Sequence, residues 1–354
     1  MTISVFDHPF LSGLLGDEEL AELFSARSAI QAMLRFEAAL AEAEAEEGVI
    51  PKESASAITR ELAGFTPDMA GLKAGVAKDS LVVPVLISQL REALGSEHGK
   101  YVHFGATSQD AIDTGLALQL AEAAGLLGQR LDRAVAALDL LERRDGAIEV
   151  MAHTRMQAAI PVTASRKIRS WREPLMRHRA RLETARKSVA ILTFGGAAGT
   201  LDKLGEKGPA VAARLARTLG LGLVAHARHS ERDWIADFAS LLSLITGSLG
   251  KMGQDVALMA QSEMGEVKLS DGGGSSAMPH KQNPVKAEML VTFARFNATL
   301  VSGMHQALVH ENERSGAAWT LEWMLLPQMV VAAGAALRIA AELAGEISFV
   351  GRKS

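Results

Sequence analysis

Between Phe238 and Met259, apolar residues recur at alternating spacings of four and three: Phe238, Leu242, Ile245, Leu249, Met252, Val256 and Met259. A strand repeats its faces every second residue, so only a helix puts all seven on one stripe. Such a stripe is the seam of a bundle helix, and a helix that long needs partners of similar length. The rest of the chain supplies them. Residues 28–47 place Ile30, Met33, Leu34, Phe36, Leu40 and Ala43 among Ala and Glu, then stop at Gly48-Val49-Ile50-Pro51. Residues 109–144 contain no proline, and Thr107 or Ser108 can cap their start with Asp110 in the first turn. Residues 164–190 read as a helix kinked at Pro174, and 285 to about 311 as another. The stretch 319–327 is expected to turn the chain, before a last helix over 329–344. No segment alternates as a strand does, which makes the fold class all-α. Gly195 to Thr200 lacks the G-x-G-x-x-G spacing and follows a helical segment, so it reads as a tight turn rather than a nucleotide loop.

Composition narrows the function classes. The 354 residues are 48% hydrophobic but only 5% aromatic, a helix-rich balance with enough apolar content for a large core; length suggests about two domains. A net charge of −4 gives no global reason to expect nucleic acid or an anionic membrane as partner. Arg166, Lys167, Arg169, Arg172, Arg177, Arg179 and Arg181 read as a solvated helix face paired with acidic neighbours. Absence of cysteine excludes disulfides and thiolate metal sites and fits a reducing cytoplasm. The N-terminus shows no signal-peptide pattern, and the long apolar stretches are interrupted by charge or glycine.

Three segments carry chemistry. Gly272 to Pro284, GGGSSAMPHKQNP, combines three glycines able to act as a hinge with Ser275, Ser276, Lys281 and Asn283, groups that can close over a small anion. Pro279 and Pro284 stiffen the C-terminal half of the segment, and Lys281 and Asn283 would offer charge and an amide N–H to a carboxylate gaining electron density. His103-Phe104-Gly105-Ala106-Thr107-Ser108-Gln109-Asp110 opens the long second helix, where free N–H groups and hydroxyls make a carboxylate seat. Ala152 to Thr163 holds a basic pair, His153 and Arg155, beside Thr154 and Gln157.

The ordered string S-S-x-M-P-x-K-x-N-P resembles the signature loop of the fumarase/aspartase superfamily, whose members add or remove a group beta to a carboxylate. The resemblance implies that Ser275 moves the proton next to that carboxylate, that Lys281 and Asn283 steady the aci-carboxylate, and that Ser276, Met278 and Glu288 line the site. The H-F-G-A-T-S-Q-D string is similar to the substrate-binding segment of adenylosuccinate lyases and of 3-carboxy-cis,cis-muconate cycloisomerases, which assigns His103, Thr107, Ser108 and Gln109 to the substrate. Ala152 to Thr163 resembles the superfamily's G-R-T-H-x-Q-x-A-x-P-x-T segment, with one departure. Arg155 stands where a histidine usually serves the leaving group, and His153 where arginine is usual.

That departure discriminates. A leaving amine or hydroxide needs a proton donor, whereas a carboxylate does not, because carboxylic acids ionise at about pH 4. Arginine cannot be a general acid at ordinary pH but holds carboxylates through its fork. The cycloisomerase family fits both facts, and Gly196 to Gly222, Phe24 to Pro51 and Glu311 to Trp323 resemble it too. The resemblance implies carboxylate addition to a conjugated double bond in aromatic-acid degradation. Thr154, Arg155 and Gln157 would hold substrate, no metal or organic cofactor is required, and a homotetramer would share its active sites between subunits. It also implies an all-α fumarase/aspartase-like fold: an N-terminal helical domain over 1–104, a long-helix bundle over 105–345, and a short tail over 346–354 in place of most of the usual third domain. An adenylosuccinate-type lyase and a catalytically silent structural relative are the alternatives. The third substituent of the substrate, carboxylate or another anion such as sulfonate, and the stereochemistry of ring closure stay open.

Overall fold

The computed structural model describes residues 3–274, 278 and 281–351. Short helices α1 (Ser12–Leu15) and α2 (Glu18–Leu23) lead into α3 (Ala26–Glu46), followed by α4 (Lys52–Leu62), α5 (Met69–Asp79) and α6 (Val83–His98). The 38-residue α7 (Ser108–Asp145) then runs to a hairpin of β1 (Glu149–Thr154) and β2 (Gln157–Thr163). After it come α8 (Ala164–Val189), α9 (Gly208–Leu219), α10 (Asp233–Met259), β3 (Val267–Leu269), α11 (Val285–Gln306), α12 (Ala317–Glu346) and β4 (Ile347–Phe349). β3 pairs antiparallel with β4.

The seam behaves as its spacing predicts: Phe238, Leu242, Ile245, Met252 and Val256 on α10 have no exposed surface. They pack in one core with Leu120, Leu127 and Leu131 of α7, Ile168, Trp171 and Leu175 of α8, and Met329, Val330 and Leu337 of α12. A second core joins Phe36 and Leu40 of α3 to Ile58, Leu86 and Leu90 and, from later in the chain, to Leu192, Phe194, Val211 and Leu215. Arg172 meets Asp139 at 2.6 Å and Arg179 meets Asp132 at 3.0 Å, so these arginines of α8 are paired with acids of α7.

Three expectations are corrected. Residues 319–327 do not turn the chain: they lie inside α12, which passes through Pro327. The lost hydrogen bond is local, while Leu326, Met329, Val330 and the alanines after them are buried together, and that packing outweighs a proline penalty of about 3 kcal/mol. α12 is also long and apolar enough to cross a membrane by length and composition, but most of it is buried in the bundle. The helix after Pro284 ends at Gln306, short of Glu311. Finally, residues 149–163 form a hairpin where no strand is visible in the sequence. Almost all of β2 is exposed, so no face needs to be apolar and the period-two signal never arises.

The two ends of the bundle are distinct. α7 and α12 start together, where Trp319 Nε1 donates to Asp113 Oδ1 at 2.9 Å. They also finish together, where Arg144 donates to the Ile347 carbonyl. At a rise of 1.5 Å per residue, the two ends of α7 are roughly 55 Å apart.

Candidate active site

The starting end is built on Asp110. Its carboxylate reaches back to the Thr107 N–H at 2.9 Å, accepts from the Gly195 and Gly196 N–H groups at 2.9 Å each, and lies 2.7 Å from His229 Nε2. The 195–200 turn is thereby clamped to the start of α7. A Cβ on Gly195 would lie 2.4 Å from the Ala227 side chain, and one on Gly196, at φ +68°, would lie 2.8 Å from the Gly105 carbonyl. These glycine N–H groups hold a protein carboxylate, not a nucleotide phosphate.

Beside Asp110, Gln109 is wholly buried. Its amide donates to Asp113 at 3.0 Å and to the His229 carbonyl at 2.7 Å, and its carbonyl oxygen accepts from Arg314 Nε at 2.8 Å. One turn on, Arg232 bridges Asp113 at 2.5 Å and Glu322 at 2.6 Å, all three nearly inaccessible. Burial pulls the Arg232 guanidinium down, but Asp113 and Glu322 outweigh it and hold it above the usual arginine range. The network locks α7, α10 and α12 together beneath Thr107 and Ser108, which stay partly exposed at the helix start. His103, with φ +59°, sits just before them, its Nδ1 2.6 Å from Glu37 Oε1 on α3.

The finishing end carries the other two segments. Register runs from Glu149↔Thr163 to Thr154↔Gln157, so the hairpin turns on Arg155 and Met156, at φ +50° and +67°. This is the two-residue twist that usually selects Asn-Gly, and ordinary side chains there cost on the order of 1–3 kcal/mol each. Thr154, Arg155 and Gln157 are exposed, as are Met156 at 71% and Ile160 at 65%. Anchorage comes from the hairpin base, where Val150 is buried and the Met151 N–H donates to Glu266 Oε1 at 2.8 Å.

In the glycine-rich segment, Gly273 and Asn283 exchange both backbone hydrogen bonds, at 2.9 and 2.8 Å, forming a neck. A Cβ on Gly272 would lie 2.8 Å from Gln282 Cβ, and one on Gly273 would lie 2.4 Å from Val285 Cγ2. Neither glycine has positive φ, so close approach, not unusual backbone angles, is why they are glycine. Lys281, Met278 and Glu288 are exposed and Asn283 is half-buried. Ser275 and Ser276 lie outside the described residues. Lys286 ties the neck to α12, pairing with Glu346, with Asp271 at 3.5 Å and with Glu342 at 3.6 Å.

Within one chain, then, the sequence-predicted residues fall into two groups. His103, Thr107, Ser108 and Gln109 share one end of the bundle; Thr154, Arg155, Gln157, Met278, Lys281, Asn283 and Glu288 share the other. Residues that organise these groups but escape sequence reading are Asp110 as a clamp, Glu37, His229, Arg232 and Arg314. Two of them left a signal: Asp110 as the acid in the first turn of α7, and Glu37 as an acid on the apolar stripe Ile30, Met33, Leu40.

A sequence profile described as lyase matches residues 16–297. The chain is 42% identical over 322 residues to 3-carboxy-cis,cis-muconate cycloisomerase of Pseudomonas aeruginosa, covering 89% of this chain and 70% of that protein. This chain belongs to the lyase family of the fumarase/aspartase superfamily. Another relative in the family, the 3-carboxy-cis,cis-muconate cycloisomerase of Pseudomonas putida, is 39% identical, with 97% of this chain and 82% of that protein covered. The crystal structure of the 3-carboxy-cis,cis-muconate lactonizing enzyme from Pseudomonas putida superposes with a TM-score of 0.90 at 37% identity, over 96% of this chain and 77% of that one. The family fold is therefore that of this chain, all-α with a long helical bundle.

Proposed function

We propose that this chain interconverts 3-carboxy-cis,cis-muconate, or a closely related substituted muconate, and a muconolactone. The observation that carries the reading is Arg155, a guanidinium held on an exposed and strained hairpin tip, in a chain whose relatives at 39–42% identity are muconate cycloisomerases. In the lactonising direction one substrate carboxylate attacks a conjugated double bond. The nucleophile needs no base, since a carboxylic acid is ionised above about pH 4. Ser275 delivers the proton to the carbon beside another carboxylate, and takes it back in reverse. Lys281, Asn283 and the Thr107-Ser108 helix start stabilise the enolate-like charge, while Arg155, Gln157 and His103 hold the remaining carboxylates. Gln109, whose amide is consumed inside the protein, shapes the seat from below.

The distance of roughly 55 Å between the ends of the 38-residue α7 supports a site assembled from more than one copy of the chain, in keeping with a cytoplasmic homotetramer. Strain at Arg155 and Met156 and the exposure of Met156 and Ile160 support the same reading, because a hairpin seated on another subunit recovers both costs.

The test is turnover of purified protein followed by ultraviolet absorbance, with 3-carboxy-cis,cis-muconate and adenylosuccinate side by side. Consumption of the muconate is expected. Turnover of adenylosuccinate alone would overturn the reading, and inactivity on a panel of carboxylates would favour a silent structural relative. Replacing the third carboxylate by sulfonate, on wild type and on Arg155→His, reads which anion the guanidinium holds. A selective loss of about tenfold or more in Arg155→His is expected for the preferred substrate.

A further inference from the structure

Glu37 is an acid in an apolar place. It lies on the stripe of α3 that packs the N-terminal core, at 2% exposure, where an ionised carboxylate is costly unless it is paired. Its Oε1 meets His103 Nδ1 at 2.6 Å, while Oε2 has no hydrogen-bond partner among the described residues. Seven positions along α3, Glu44 is fully buried, and neither of its oxygens has a partner among them. Burial first and Glu37 second push the Glu44 carboxyl up to about 9, so at neutral pH Glu44 is uncharged. His103 is fixed in the left-handed region at φ +59° with its side chain 11% exposed, and its Nε2 makes no hydrogen bond among the described residues.

We propose that Glu37 is a positioning residue: by accepting from His103 Nδ1–H it fixes the ring so that Nε2–H is a preset donor to one carboxylate of the substrate. This rests on the cycloisomerase reading, which gives His103 to the substrate. Donation from both nitrogens requires the imidazolium. The charged groups facing the ring are Glu37 from α3, Asp110 from α7 and Arg91 from α6. Burial pulls the imidazolium down, but Glu37 and then Asp110 outweigh burial and Arg91 together and hold the ring above the ordinary histidine value. The arrangement favours the charged donor, and substrate binding weakens as pH rises through that elevated value.

The experiment is the pH dependence of kcat and KM for wild type, Glu37→Gln, Glu37→Asp, His103→Gln and the Glu37→Gln/His103→Gln pair. In Glu37→Gln the alkaline rise in KM should move down by about one pH unit, with KM about tenfold higher on the alkaline side and kcat little changed. Glu37→Asp should restore part of the shift, His103→Gln should abolish the limb, and the pair should be no worse than His103→Gln alone. A folded Glu37→Gln with the wild-type limb, or with kcat lost and the limb unmoved, overturns the proposal. If Glu37→Gln fails to fold, a limb that persists in His103→Gln overturns it instead. Should wild type turn over no muconate, the cycloisomerase reading falls separately. The ring of His103, assigned by loss of its signal in His103→Gln, is then titrated by NMR, and an unchanged midpoint in Glu37→Gln overturns the coupling.

Discussion

Buried carboxyls without partners leave a mark on stability that pH can read. Glu44 is raised from 4.5 to about 9, burial being the larger cause and Glu37 the second. Below the lower value both folded and unfolded chains hold the proton. Between the two values the unfolded chain releases it and the folded chain keeps it, so this group's contribution to stability declines with rising pH until the higher value is passed. Glu44→Gln removes that decline. Its stability relative to wild type should improve by on the order of 2 kcal/mol between about pH 6 and about pH 8, measured by urea denaturation. A constant difference across that range would show that Glu44 is already ionised in the folded protein. At this scale the sequence was partly legible. Arg155 stands out against the family pattern, and Glu37 and Glu44 interrupt an apolar stripe. Arg232 offered no such signal, because its partners Asp113 and Glu322 are 119 and 90 positions away and only the fold brings them together.

Elements whose faces are buried could be read, and elements whose faces are exposed could not. The seam of α10, the Gly-Pro stop after α3 and the Thr107-Asp110 cap of α7 all announce themselves through periodicity or capping chemistry. The β1-β2 hairpin does not, having no buried face along β2, Pro161 inside that strand, and Arg-Met where a hairpin turn usually shows glycine. Pro327 misled in the opposite direction, since local propensity argued for a break that packing forbids. Its ring removes the donor that would meet the Trp323 carbonyl inside a 30-residue helix. Pro327→Ala should restore that bond and raise stability by about 1–3 kcal/mol in chemical denaturation, with no loss of helix content. A drop in stability would mean that the ring's place in the wall of the cavity it lines with Phe24 and Met33 matters more than the missing hydrogen bond.

At the scale of the molecule, the length of α7 decides how the candidate site can be assembled. Thr107 and Ser108 sit at its first turn, and the hairpin comes directly after its last, so no bending of side chains closes a gap of roughly 55 Å. Lys281 belongs to the far end too, through the Lys286 contacts with the end of α12. Two variants damaged at opposite ends, Ser108→Ala and Lys281→Ala, should therefore each be poorly active alone. Unfolded or dissociated, mixed and reassociated, they should recover activity, because some interfaces then pair an intact helix start from one chain with an intact loop from another. For a site drawing one of the two groups from each of two chains, random mixing of equal amounts gives roughly a quarter of sites with both intact. Equal recovery from each variant reassociated with itself would point to refolding rather than complementation. No recovery from the mixture, with native oligomers formed, would mean that both groups act within one chain. The bundle would then have to be rearranged by more than the length of any side chain, and the shared-site reading would fall.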